Sequence, residues 1–509
     1  MALALAGAVL LLPRSLAGSE PAAAEVTFAR DIAPLVFENC AGCHRPGQAA
    51  PFSLTSYDEV RRRGRLIRDV TGERFMPPWH AEPGFGEFVG ERRLSYAEIA
   101  ILAEWVESGM PEGDRDATPP LPVFPDGWQL GEPDVVLTME EAFEVPASGR
   151  DIYRYFSLPL ALEEDRWIRA IEVRPEARGV VHHVLFFADS SGKARELQDA
   201  DSGPGFGGKG FRATAELGGW AVGRVEQFLP EGLAIPLAAG SDLVLQTHFH
   251  PSGKAESERT TVALYFADAA PEKTLFTFQV PPGYGRLAGI DVPPGEADFV
   301  IEDSFTLPVA VDLVNVWGHA HQICTSMRGT ATLPDGQVIP LLSIPHWDFN
   351  WQTVYQYQVP PHLPAGTRID ARITYDNSAN NPANPNHPPQ RVRWGEQSFD
   401  EMGSLIFQGV AAVEDDLPRL AKAEGDQHRR AFAQATAREI GEQDFRGALA
   451  HIAESDADGD GMVSRDELKA DWKDTAFRAL DWNGDGQIEP GELAEGQAIA
   501  DHVFTKNET

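Results

Sequence analysis

The spacing of apolar positions changes several times along the 509 residues of this chain. Between residues 26 and 112, Phe28, Ile32, Leu35 and Val36 recur every three to four residues, and Ile99, Leu102, Trp105 and Val106 do so again. One face of a helix repeats at that interval, so the spacing predicts a small all-α unit. From Pro119 to about Phe407 the pattern changes to short runs of β-branched and aromatic residues, such as Leu243-Val244-Leu245 and Thr260 to Tyr265, set apart by Pro, Gly, Asn and Asp. Nearly 300 residues of such runs predict two tandem antiparallel β-sandwich domains, divided near Pro271 where Asp268 to Glu272 breaks the strand pattern. Residues 414–445 are charged, Ala-rich and helical in character, and the remainder carries a repeat of its own.

The expected architecture is therefore multidomain. A leader covers 1–24, a cytochrome c-like helical domain 25–115, one β-sandwich 116–271, a second 272–413, a helical linker 414–445 and a small all-α tail 446–509. The leader reads as a signal peptide, with an apolar run from Ala2 to Leu12 and small residues at Ala22-Ala23-Ala24. That run is too short to span a bilayer, and no later stretch reads as a transmembrane helix. A periplasmic or secreted location follows. The net charge of −34, with 77 acidic against 43 basic residues, argues against nucleic acid or an anionic membrane as partner.

Cys40-Ala41-Gly42-Cys43-His44 has the attachment spacing of a c-type haem, in which both thiols form thioethers and the adjacent His ligates iron. Met76, in a Pro-restrained stretch, is the candidate sixth ligand, with His80 as the alternative. Cys324 is then left alone, and on a strand it reads as an apolar filler.

His182 and His183 are adjacent within the strand-like run Val180 to Phe187. Neighbouring strand residues point to opposite faces, so one ion could hold both only at a twist or bulge. Burying such a pair is costly unless metal or hydrogen bonds satisfy it. His248 supplies a third imidazole, and His250, on the same strand face, could replace it. His319 and His321, two residues apart, share a face without distortion, and a thioether from Met402 would select copper over zinc or iron.

The order His182-His183, His248, His319-Ala320-His321 and Asp400-Glu401-Met402 resembles the type II copper, ascorbate-dependent monooxygenases, which include peptidylglycine α-hydroxylating and dopamine β-monooxygenases. The resemblance covers roughly residues 130 to 410. It implies two β-sandwiches, each donating one copper site across a solvent-filled cleft. His182, His183 and His248 would bind the electron-storing copper, and His319, His321 and Met402 the copper that activates dioxygen. Where the peptide-processing enzyme clamps a carboxylate with Arg, Asn and Tyr, this chain has Trp317, Ser404 and Ile406, which points to a more apolar substrate. The animal enzymes' disulfides have no counterpart, since Cys324 is the one thiol of this region. A cytochrome c-like domain ahead of such a core fits a bacterial arrangement in which tethered haem takes the place of ascorbate.

The tail repeats one pattern twice. Asp456, Asp458, Asp460, Met462, Ser464 and Glu467 stand at the ligand positions of an EF-hand calcium loop, and Asp481, Asn483, Asp485, Gln487, Glu489 and Glu492 repeat them. The expected function is hydroxylation of an activated C–H bond of a small organic substrate with O2, using two coppers and electrons delivered by a donor through haem c. A haem-copper electron carrier or copper-handling protein without oxygenase turnover is the alternative.

Overall fold

A computed structural model describes residues 25–505 except 49, 126, 209, 222–225, 469–476, 478, 483 and 484. The expected signal peptide and Asn483 lie outside the described residues. The architecture is mixed, with several β-sheets and helices, and the chain divides into two compact units. Of the described residues, the first holds those up to Pro77 together with Arg92–Val123, and the second holds Pro78–Glu91 and those from Phe124 onward.

The first unit is helical. Its helices Ala33–Asn39, Tyr57–Gly72 and Tyr96–Glu107 bury Ile32, Val36, Val60, Ile67, Leu102 and Trp105 in one core. The helix at Tyr96 starts with a capping box, in which Ser95 Oγ accepts from Glu98 N and the Glu98 carboxylate accepts from Ser95 N. Gly64 lets two helices approach closely, because a Cβ there would stand 2.5 Å from Met110 Sδ and 3.3 Å from the Trp105 ring.

The expected helical domain 25–115 is not continuous. Residues 78–91 leave it for the second unit, where Trp79, Ala81 and Phe88 are buried and Glu82 N donates to Ser343 O at 2.7 Å. The cause is chemical, since large apolar side chains in a Pro- and Gly-rich stretch cannot form a helical face and pack against Tyr355 and Tyr357 instead.

In the second unit, a four-stranded sheet runs in the order Ile152–Pro159, Asp242–Phe249, Val181–Asp189, Ala215–Ala221. It faces strands Val135–Thr138, Thr261–Phe266, Arg166–Arg174 and Leu233–Leu237 across a core that includes Phe156, Val184, Leu245, Phe249 and Val262. A second four-stranded sheet, Phe299–Thr306, Arg368–Tyr375, Cys324–Thr332 and Val338–Ile344, shares another core with Lys273–Val280, Gly403–Ala411 and Val311–Ala320. The two layered halves are not separate bodies. Leu233–Leu237 pairs parallel with Lys273–Val280 through Leu233↔Lys273 and Ala234↔Thr274, which makes one nine-stranded sheet across both. The parallel pairing of these two strands depends on how the chain crosses over between them, which no local pattern records.

Residues 414–445 do not form a linker. The helix Leu417–Ile440 puts Leu420 into the core beneath the Gly403–Ala411 sheet, and Ala433 and Ala437 into the core of the tail. Among the described residues, no helix is long and apolar enough to cross a membrane.

Candidate metal centre

His182 occupies a bulge. Along the antiparallel pair, Val181 faces Phe249 and His183 faces His248, so His182 has no partner of its own. The extra residue turns both neighbours toward one point. His182 Nδ1 lies 3.2 Å from His183 Nδ1, and His248 Nδ1 lies 3.4 Å from the same atom. The three imidazoles offer ligand atoms all within 4.8 Å of one another. His250 turns away and donates Nδ1–H to Asp151 Oδ1 at 2.8 Å, with more than half of its side chain exposed. The strand order thus brings His248, rather than His250, into the cluster.

The second set is regular. His319 lies on Val311–Ala320, paired with Ser404 of Gly403–Ala411, and His321 follows one residue past the strand end. His319 Nε2 stands 3.3 Å from Met402 Sδ. Glu401 fixes both ends of this site, since its fully buried carboxylate accepts from His321 N, from Ile323 N at 3.1 Å and from Met402 N at 2.8 Å. Burial pushes the Glu401 carboxyl up to about 8, against the pull of those backbone donors.

Partners on the outer nitrogens select the inner ones. His182 donates Nε2–H to Phe349 O at 3.2 Å, and His248 Nε2 lies 3.3 Å from Asp151 Oδ2, which leaves Nδ1 of each facing the first set. His319 donates Nδ1–H to Gln352 Oε1 at 2.7 Å, and His321 does so to Asp400 O at 3.3 Å, which leaves Nε2 for the second set. This use of the far ring nitrogen orients metal-ligating histidines generally. Burial keeps the rings neutral, holding His182 down to about 3, His319 down to about 4, and His183 and His321 well below the ordinary histidine range. Three convergent imidazoles in the first set and an imidazole beside a thioether in the second form donor sets that fit copper.

The solvent-filled cleft implied by the resemblance does not separate these sets. The His183 and His319 rings are 6.4 Å apart, and Phe349 stacks on His182 at 4.2 Å while meeting His321 edge-on at 5.9 Å. Phe349 lies against both sets, an outcome of packing that the ligand pattern alone could not foretell.

Sequence reasoning missed four further groups. Asp151 touches His248 and His250 and accepts from Ser398 N at 3.0 Å; burial opposes its charge, yet those bonds hold its carboxyl well below the usual range. Tyr153 stacks on His248 at 4.3 Å and donates to Glu396 O at 2.5 Å. Tyr284 stands edge-on to His319 at 5.0 Å, from a left-handed backbone position at φ 55°. Phe349 with Gln352 forms the last group. Only the density of aromatics at 347–351 was a usable signal.

Trp317 pairs with Ile406 and His319 with Ser404, both on one side of the sheet, where Ile406 is buried and the Ser404 hydroxyl donates to Pro281 O at 2.6 Å. Cys324 is buried in the core with its thiol pushed well up by burial, as the filler reading expected.

In the first unit, Cys40 ends the helix Ala33–Asn39, and His44 N donates to Cys40 O at 2.9 Å, which closes the Cys-x-x-Cys-His stretch into a turn. Both cysteines are free, and burial pushes the Cys40 thiol up to about 12. His44 donates Nδ1–H to Phe52 O at 3.1 Å, so Nε2 is the nitrogen left for iron, which fits a c-type haem. Met76 belongs to this unit and His80 to the other.

In the tail, the Glu467 carboxylate accepts from Ala457 N at 2.9 Å and Ser464 N at 2.7 Å, and Asp456 accepts from Gly459 N and Gly461 N. These bonds hold the Glu467 carboxyl down to about 2. Asp456, Asp458 and Asp460 gather their oxygens as a cation site would. Glu492 repeats the closure by accepting from Trp482 N and Glu489 N. The EF-hand family model matches residues 454–470 and 473–496. The tail is an EF-hand pair. Its two loops are joined by the short antiparallel pairing of Val463–Ser464 with Gln487–Ile488, and the arrangement is consistent with calcium binding.

Several solved structures are distantly similar to the chain. PNGF-II is 12% identical with a TM-score of 0.23 over 54% of this chain, which spans 66% of that protein, just under two thirds. The N-glycanase PNGase F is 9% identical with a TM-score of 0.23, over 55% of this chain and 96% of its own. The capsid protein P2 of bacteriophage PM2 is 8% identical with a TM-score of 0.21, over 48% of this chain and 99% of its own. Likenesses this weak assign neither fold family nor function. No curated protein matches the sequence.

Proposed function

We propose that the chain is a copper-dependent monooxygenase that hydroxylates an activated C–H bond of a small apolar organic substrate with O2, fed by electrons through a c-type haem. The observation that carries this reading is the convergence of His182, His183 and His248 through Nδ1, beside His319 and Met402 only 3.3 Å apart. One oxygen atom enters the C–H bond and the other leaves as water, which consumes two protons and two electrons from an external donor.

His182, His183 and His248 would hold one copper, and His319, His321 and Met402 the other. Copper, when bound, supplies one-electron redox chemistry and dioxygen activation. The protein's own groups orient and exclude. Phe349, Asp151, Gln352 and Asp400 fix which nitrogen His182, His248, His319 and His321 present, and Trp317 would offer an apolar surface in place of an anion clamp, while Ile406 is buried. Haem would be attached through Cys40 and Cys43 with His44 Nε2 on the iron. Met76, in the same unit, is the better sixth ligand than His80. Such a haem, with the apolar leader, supports a periplasmic or secreted setting, and calcium in the EF-hand pair would serve stability there.

The test is the copper-to-haem ratio of the copper-loaded protein, with substrate-dependent oxygen uptake. The expected result is close to two coppers per haem, falling by about one in His182→Ala and in Met402→Ala, with oxygen uptake coupled to substrate. Slow oxidation indifferent to every substrate offered would favour an electron carrier. Little or no copper would end the oxygenase reading.

A further inference from the structure

One short stretch, Trp347 to Gln352, touches both ligand sets. From the first set, His182 donates to Phe349 O at 3.2 Å and stacks on the Phe349 ring. From the second, His319 donates to Gln352 Oε1 at 2.7 Å, and His321 O accepts from Trp347 Nε1 at 3.0 Å. The stretch is stiffened from within. Gln352 Nε2 donates to Phe349 O at 3.3 Å, Asp348 closes a turn on Asn350 N at 2.9 Å, and Trp347 N is tied to Thr325 O at 2.8 Å.

These bonds form one continuous path. His182 and Gln352 share a single carbonyl acceptor, and the other end of the Gln352 amide holds His319. Turning the His182 ring moves that carbonyl, which moves the amide that selects the His319 tautomer.

We propose that Trp347 to Gln352 is a clasp that makes occupancy of the two metal sites interdependent, with Phe349 and Gln352 as positioning residues. The inference rests on the two-copper reading above. An ion at His182 Nδ1 fixes the ring and, through its Nε2–H, the position of the Phe349 carbonyl, which also accepts from Gln352 Nε2, so the amide that holds His319 is placed with it. Linkage makes the effect reciprocal, so filling the second set favours the first equally.

The test compares stepwise copper binding by the wild type, expected to be cooperative, with each site read alone in a variant that impairs the other. In a Met402→Ala background only the first set retains its full ligands, and its copper affinity is read by chelator competition and its ligand field by Cu(II) paramagnetic resonance. Gln352→Ala, whose side chain touches no ligand of the first set, is expected to weaken that site about tenfold and shift its spectrum. Gln352→Glu keeps the acceptor for His319 but loses the donor to Phe349 O. It should therefore match Gln352→Ala at the first site, yet preserve the second site when that is measured in His182→Ala. Near-UV dichroism on each variant confirms the native fold. First-site copper whose affinity and spectrum ignore both Gln352 substitutions overturns the clasp and leaves the two-copper reading standing. Wild-type protein that binds no copper overturns that reading, and the clasp with it.

Discussion

In the histidine centre the ligands are buried or half-buried side chains on strands or at their ends, and His182, His248, His319 and His321 are each aimed by a partner on the far nitrogen. In the EF-hand pair they are largely exposed carboxylates on loops, and the loop's own backbone donors already occupy many of their oxygens. The first region spends its design on orientation and on exclusion of water, and the second on charge and a flexible cage. Soft, directional ligation needs the former, whereas a hard cation that accepts variable geometry needs only the latter.

Acid should separate the two regions most strongly. Histidines whose folded values are depressed bind fewer protons folded than unfolded, so stability falls as pH drops below the unfolded value near 6.5. The loss continues toward the folded values of about 3 for His182 and about 4 for His319. Glu467 acts lower, losing its contribution between its ordinary 4.5 and about 2. In metal-free protein at pH 5, amide exchange should therefore speed up around residues 181–184 and 319–321 while residues 456–467 stay protected. Loss of protection in the tail first would reverse the contrast.

Glu401→Ala comes next. It strands the N–H groups of His321, Ile323 and Met402 in a dry interior, and should cost about 3 kcal/mol or more in denaturant unfolding. An exposed loop carboxylate such as Asp458 should change stability by less than about 0.5 kcal/mol without metal.

Asp151→Asn should weaken copper at the first set by about 10- to 100-fold, because the far-nitrogen partner of His248 loses its charge, with calcium binding unchanged. Last, Glu467→Gln removes a bidentate ligand and should weaken calcium at its loop about tenfold while leaving copper content alone. Titration calorimetry with each metal checks both, and cross-effects of equal size would merge the two regions into one coupled system.

What the sequence made legible differs between the regions for the same reason. The EF-hand loop is local, so Asp456 to Glu467 could be read within one short stretch, down to the turn at Gly461 (φ 87°). The histidine centre is assembled from distant strands. His-x-His pointed to one strand, although His321 falls one residue past its end, and adjacency at His182 and His183 demanded a bulge, which is present. Asp151 and Tyr284 were invisible because nothing local marks a residue that acts on a distant strand, and for Phe349 the aromatic density at 347–351 was the one sign. The parallel seam at Leu233 and Lys273 and the detour of residues 78–91 were hidden likewise, since both are set by which apolar faces find each other. The expected linker at 414–445 was misjudged because its charges masked Leu420, whose side chain is fully buried.

That helix has a practical corollary. Leu417–Ile440 is a beam set into two foundations, with Leu420 seated at one end and Ala433 and Ala437 at the other. Trimming the chain at residue 413 would not shed an appendage; it would unroof a socket in the half that carries His319 and Met402.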